Sequence, residues 1–119
     1  MQTYKDLTVY TKSIKLVTKI YKITNKFPDN EKFGLVSQMR RCAVSIPSNI
    51  AEGQQRNTSK EFANFLYISR GSIAELETQI NIVKELDKNQ LINFSEIDTL
   101  LIEIQKMTNV LIKKIKLTT

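Results

Sequence analysis

Apolar positions recur along this chain at alternating spacings of three and four, the period of one face of an α-helix. Leu7, Tyr10, Ile14, Val17, Tyr21 and Thr24 trace such a seam and predict a first helix over about Leu7–Phe27. Pro28 ends it, because proline disfavours helical geometry in the residue before it and supplies no N–H. Asp29 or Asn30 is placed to cap the next helix. Val36, Met39, Ala43, Ile46 and Ile50 define that second helix over about Glu31–Glu52, with Gly53 as its stop. Pro47 falls inside the pattern, so a kink is expected near Ala43–Pro47, with Ser45, Ser48 and Asn49 at hand for the freed backbone groups. Two shorter helices are the competing reading. Thr58-Ser59-Lys60-Glu61 has the form of a capping box and opens a third helix, whose seam is Phe62, Leu66, Ser69, Ile73, Leu76, Ile80 and Val83. Ser95-Glu96-Ile97-Asp98 repeats the signal before a fourth, with Ile97, Leu101, Ile104, Thr108, Leu111 and Ile115 facing inward. Lys113, Lys114 and Lys116 in its last turns complement the helix dipole.

Four amphipathic helices on short connections pack best against their sequence neighbours, so the expected fold is all-α, an antiparallel up-down-up-down four-helix bundle with helix 2 kinked near Pro47. With 119 residues there is room for one core, a single domain over 1–119. Three Gly and two Pro leave few breaks, which disfavours an all-β fold. The absence of His removes the usual general base near neutral pH and the commonest metal ligand, so neither metal nor cofactor is expected. One cysteine, Cys42, makes no internal disulfide and suits a reducing cytoplasm. No apolar run reaches membrane-span length and the first residues lack a signal-peptide core, so a soluble cytoplasmic protein without membrane association is expected.

Charge changes the picture more than composition does. The net charge is +6, and residues 1–60 hold eleven basic residues against four acids while residues 61–119 hold seven against eight. Lys12, Lys15, Lys19, Lys22 and Lys26 follow at spacings of three and four, which sets them in one stripe nearly opposite the apolar seam of the first helix, with no acid between Leu7 and Pro28. Such a row meets successive phosphates through counterion release and reads little sequence. The alternative is a solubilising lysine face. Arg56 and Lys60 flank the turn into the third helix and extend the basic surface, as does one of Arg40 and Arg41. Adjacent helical residues point about 100° apart, so the other is free to pair with a carboxylate such as Glu75. On the third helix Tyr67, Ile68, Gly71, Glu75, Thr78 and Ile82 form a second patterned face; Tyr67, Ile68, Gly71 and Ile82 there suit a subunit contact, unless a neighbouring helix covers them. Glu75 and Glu77 diverge, and Ser72, Thr78 and Cys42 have no His to activate them, so no catalytic residues are expected.

Three segments carry more than their physics: Asp6-Leu7-Thr8-Val9-Tyr10, then Gln38-Met39-Arg40-Arg41-Cys42-Ala43-Val44-Ser45-Ile46-Pro47-Ser48-Asn49-Ile50-Ala51-Glu52-Gly53, then Arg70-Gly71-Ser72-Ile73-Ala74-Glu75-Leu76-Glu77-Thr78-Gln79. Together they resemble the bacterial four-helix-bundle family of 23S rRNA intervening-sequence proteins over nearly the whole chain. Cys42 departs from the Ala more frequent there and still meets the need for a small residue. The resemblance implies a ring, a homopentamer, with a positively charged outer or channel surface and association with nucleic acid. A related branch, the accessory proteins of diversity-generating retroelements, resembles it in fold and binds a reverse transcriptase and RNA. The leading expectation is a non-enzymatic, basic, ring-forming nucleic-acid-binding protein, RNA favoured over DNA. The alternative is a protein-interaction adaptor that docks an acidic partner or a reverse transcriptase.

Overall fold

The structure, a computed structural model, describes residues 3–28, 30 and 34–117. After a short 3₁₀ turn at Tyr4–Asp6 come four α-helices: α1 (Thr8–Thr24), α2 (Leu35–Gln54), α3 (Ser59–Leu86) and α4 (Ser95–Leu117). Among the described residues no strand accompanies them. Partners across each helix pair run in opposite directions. Cys42 Sγ donates to Ser72 O while Ser69 Oγ donates to Ile46 O; Lys12 meets Glu103 while Lys19 meets Glu96; Arg70 meets Asn109 while Lys84 meets Asp98. These registers make neighbouring helices antiparallel, with α2 on α3 the most extensive contact and α4 closing back on α1. At 1.5 Å per residue the 28-residue α3 accounts for about 42 Å of the 49 Å long axis.

The core draws on all four helices, with Leu16, Ile20, Met39, Ile46, Ile50, Leu66, Ile73, Leu76, Leu101 and Ile104 fully enclosed. The seams expected for α2, α3 and α4 are the ones that point inward; Phe62, Leu111 and Ile115 pack at the margin. On α1 the seam is displaced by one residue. Val9, Ser13, Leu16, Ile20 and Ile23 are buried, whereas Ile14 and Tyr21 are 41% and 42% exposed. Ser13 is the cause: its hydroxyl donates to Tyr10 O at 2.7 Å, so a polar residue sits in the core at no hydrogen-bonding cost. A shift of one position turns the helix by about 100°.

Helix ends also differ from expectation. The last turn of α1 tightens into three-residue bonds, Lys26 N–H to Ile23 O and Phe27 N–H to Thr24 O, so the helix closes at Thr24 and Lys26 lies in the turn beyond it. The caps expected at Asp29 or Asn30 and the helix start expected at Glu31 fall on a stretch in which Asp29, Glu31, Lys32 and Phe33 lie outside the described residues. One unbroken helix passes through Pro47, which removes the two-helix alternative. Carbonyls beside the proline take side-chain donors: Asn49 Nδ2 reaches Ser45 O at 2.8 Å and Ser69 Oγ reaches Ile46 O at 2.9 Å. Gly53 is not the stop. It lies inside α2, where a Cβ would come within 2.7 Å of Phe65 Cβ and 3.2 Å of Phe62 O, so the missing side chain lets α2 and α3 approach. Thr58 caps α3 as expected, accepting from the Glu61 N–H at 3.1 Å. At α4 Ser95 is the first helical residue, after Phe94, whose carbonyl accepts from the Asp98 N–H at 2.8 Å, and Asn93 Oδ1 accepts from the Ser95 N–H just ahead of the helix.

Candidate nucleic-acid interface

Each lysine of the α1 row immediately precedes a buried residue: Ser13, Leu16, Ile20, Ile23 or Phe27. The rotation of α1 therefore moves the row from the far side of the helix to the edge of the core, along the groove shared with α4. Two acids of α4 answer it there. Glu103 takes Lys12 and Glu96 takes Lys19. The hydrogen bond from Lys19, and then its charge, holds the Glu96 carboxyl below the usual glutamate range. Lys15 lies between the two ion pairs on the same groove, and Lys22 and Lys26 follow toward the α4 N-terminus. All three are exposed, and among the described residues none has a carboxylate within ion-pair distance. Counting acids on α1 alone gave an uncompensated stripe; the tertiary register compensates two of its five members.

The arginines divide more sharply. Arg40 folds onto the end of α1, donating from Nε to Thr24 Oγ1 and from Nη2 to Asn25 Oδ1, both at 2.9 Å, and to Tyr21 O at 3.3 Å. Its guanidinium also stacks 4.6 Å over the Tyr21 ring. Arg40 thus satisfies the carbonyl end of a helix dipole, and among the described residues it pairs with no carboxylate, Glu75 included. Arg41 is the exposed one of the pair. Arg56 is tied to Glu52 one turn back at 2.7 Å and lies over Phe65. Lys60 projects to solvent from the first turn of α3.

On α3, Ile68 and Ile82 are 51% and 46% exposed, Gly71, Glu75 and Thr78 lie exposed between them, and among the described residues no neighbouring helix covers the stripe. A Cβ at Gly71 would meet nothing within 4 Å. Tyr67 does not belong to that face. It is half-buried against the core on the α4 side, with the Arg70 guanidinium 4.9 Å and the Lys116 ammonium 5.1 Å from its ring centroid. The sequence places Tyr67 at a subunit contact and Lys116 at the helix dipole; their meeting with Arg70 is not visible in it, because the partner of Arg70, Asn109, lies 39 residues away.

The residues weighed for chemistry are engaged structurally. Ser72 Oγ shares a 2.8 Å hydrogen bond with Ser45, and Thr78 Oγ1 donates to Ala74 O. Burial, reinforced by the charge of Glu75, pushes the Cys42 thiol up to about 12, so it stays protonated and unreactive near neutrality. Among the described residues no group of three or more His, Cys, Asp or Glu is placed to hold a metal, and no helix is long and apolar enough to cross a membrane.

No curated protein matches the chain. The family model described as 23S rRNA-intervening sequence protein matches residues 5–110, from the turn before α1 well into α4, and the chain belongs to that family.

Proposed function

We propose that the protein is a non-enzymatic nucleic-acid-binding protein that holds RNA, in preference to DNA, through its phosphate backbone. The observation that carries this reading is the imbalance along the α1–α4 groove. Five lysines line or border it, two carboxylates answer among the described residues, and Lys15, Lys22 and Lys26 are exposed. Arg41 and Lys60 add exposed charge on neighbouring helices. Contacts of this kind give affinity with little base discrimination. Copies assemble into a homopentameric ring through the α3 stripe of Ile68, Gly71 and Ile82, whose exposure supports an apolar subunit contact.

Fluorescence anisotropy with a labelled single-stranded RNA across a salt series tests the binding. Log affinity should fall linearly with log salt, by roughly 0.7 per phosphate neutralised on a single strand. Replacing Lys15, Lys22 and Lys26 together by Gln should weaken binding and flatten the slope by about 2. Affinity and slope unchanged in that variant would remove α1 from the interface. Weak binding by the parent, with a protein partner retained after nuclease treatment, would favour the adaptor reading. For assembly, light scattering of the Ile68→Asp, Ile82→Asp double variant should give a smaller particle than the parent; equal masses would exclude the stripe.

A further inference from the structure

The near-neutral balance of residues 61–119 conceals a polarity. No acid occurs from Phe62 to Ala74, and none from Ile104 to Leu117. The antiparallel register of α3 and α4 lays these two stretches side by side, with Tyr67 against Lys116 and Arg70 against Asn109. Arg70 Nη1 donates to Asn109 Oδ1 at 3.2 Å, and the guanidinium plane is steadied over the Tyr67 ring. Those two contacts fix its direction while Asn109 is its one hydrogen-bond partner among the described residues, so the remaining N–H groups of an exposed side chain face water. Arg40 and Arg56, by contrast, are engaged at the end of α1 and at Glu52. Lys106, Asn109, Lys113 and Lys116 succeed one another at spacings of three and four on the outer side of α4. Complementing the helix dipole accounts for Lys114 and Lys116, since that effect fades within the last turn. It does not account for Lys106, nearly three turns from the end, or for Arg70 on another helix.

We infer that this corner is a second phosphate-binding element, in which Arg70, oriented by Tyr67 and Asn109, forks onto one phosphate of an RNA backbone while Lys113 and Lys106 neutralise its neighbours. The inference rests on the nucleic-acid reading above and assigns it residues outside α1. A guanidinium held in one plane presents two parallel donors to phosphate oxygens, a geometry an ammonium lacks. With two cations over its ring, Tyr67 orients them and is not a stacking platform for bases.

The full chain is titrated with labelled single-stranded RNA over a salt series, as parent, Arg70→Gln, Arg70→Lys and Lys106→Gln/Lys113→Gln. All are surface substitutions, and thermal unfolding checks that each variant is folded. Arg70→Gln should lose roughly tenfold in affinity and flatten the salt slope by about 0.7; the double lysine variant should flatten it by about 1.4. Arg70→Lys should keep the parental slope and still bind several-fold more weakly, because it keeps the charge and loses the fork. Parental affinity in Arg70→Lys would overturn the fork. RNA binding by the parent that all three variants leave unchanged would overturn this element while the α1 reading stands, and a parent that binds no RNA would overturn both.

Discussion

Alanine in place of glycine should move stability in opposite directions at Gly53 and Gly71. Both lie inside helices, where alanine is favoured over glycine by roughly 0.8–1.0 kcal/mol. At Gly71 an added methyl meets nothing within 4 Å, so the variant should collect that preference in full. With an unfolding entropy of roughly 2.1 cal/mol/K per residue, 119 residues convert it to a rise of about 4 °C in Tm. At Gly53 the methyl would lie 2.7 Å from Phe65 Cβ, 3.0 Å from Phe62 Cδ1 and 3.2 Å from Phe62 O, against about 3.5–4.0 Å for an unstrained carbon contact. The Phe62 ring is able to turn away. Phe65 Cβ and the Phe62 carbonyl are fixed to the backbone of α3, so the two helices must part. Overpacking of this kind costs about 1–3 kcal/mol; at the middle of that range it exceeds the helix preference by about 1 kcal/mol, and at the top by about 2 kcal/mol, which should lower Tm by about 4 °C and about 8 °C respectively. Thermal unfolding followed by circular dichroism, at two protein concentrations, reads both. If copies meet through Gly71, its gain should appear only in dilute, dissociated protein. A Gly53→Ala variant as stable as the parent would refute the close approach of α2 and α3.

The titrating groups supply two more tests. Lys19→Gln should return the Glu96 carboxyl toward its ordinary range near 4.5, read by NMR titration. Because the folded value is depressed, the stabilisation from this pair is present above that range and is lost as pH falls through the depressed value; an unmoved Glu96 would mean that Lys19 does not hold it. Cys42 runs the other way. Its folded thiol ionises at about 12 against an ordinary 9.0, so its contribution is intact below about pH 9 and is lost as pH rises through the folded value. Urea unfolding between pH 8 and pH 10 (roughly the range where a free thiol ionises) should show a shallower alkaline decline for Cys42→Ala than for the parent, and parallel declines would contradict a buried neutral thiol.

Three of the four seams were legible in the sequence because most of their buried residues stand between polar neighbours: Met39 between Gln38 and Arg40 on α2, or Ile97 between Glu96 and Asp98 and Ile104 between Glu103 and Gln105 on α4, where Leu101 is the exception, set between a buried Leu100 and an exposed Ile102. On α1 two phases compete. Tyr10, Ile14, Val17 and Tyr21 make the more continuous apolar line, and the true core line is interrupted by Ser13. Only the tertiary structure chooses between them, and the choice carries the lysine row with it. The same limit hid the Arg70 corner. Composition counts charges, and helical spacing places them on a face, but which cation meets a carboxylate depends on the register between helices distant in sequence. Arg56 finds Glu52 within one turn, a pair the i, i+4 spacing displays although the sequence reading assigns Arg56 to the open basic surface; Lys12 finds Glu103 across 91 residues, which no local spacing displays.

That register also separates lysines that are spent from lysines that are held in reserve. Glu96 is 78% exposed on its side chain, and Glu103 is 38% exposed. Ion pairs this open to water contribute little to stability, so a phosphate competes for the same ammonium groups against a weak opponent. The carboxylates do more harm as fixed charges: they stay on the groove after the lysines leave them and repel the incoming backbone. Neutralising them should therefore improve binding without adding a contact. In Glu96→Gln/Glu103→Gln, the freed Lys12 and Lys19 join Lys15, Lys22 and Lys26, and RNA affinity should rise several-fold, with a salt slope steeper by up to about 1.4. Anisotropy on the same RNA used for the lysine variants measures it. If the α1–α4 groove is a solubilising face and not a phosphate track, removing two of its acids will leave affinity and slope where the parent has them.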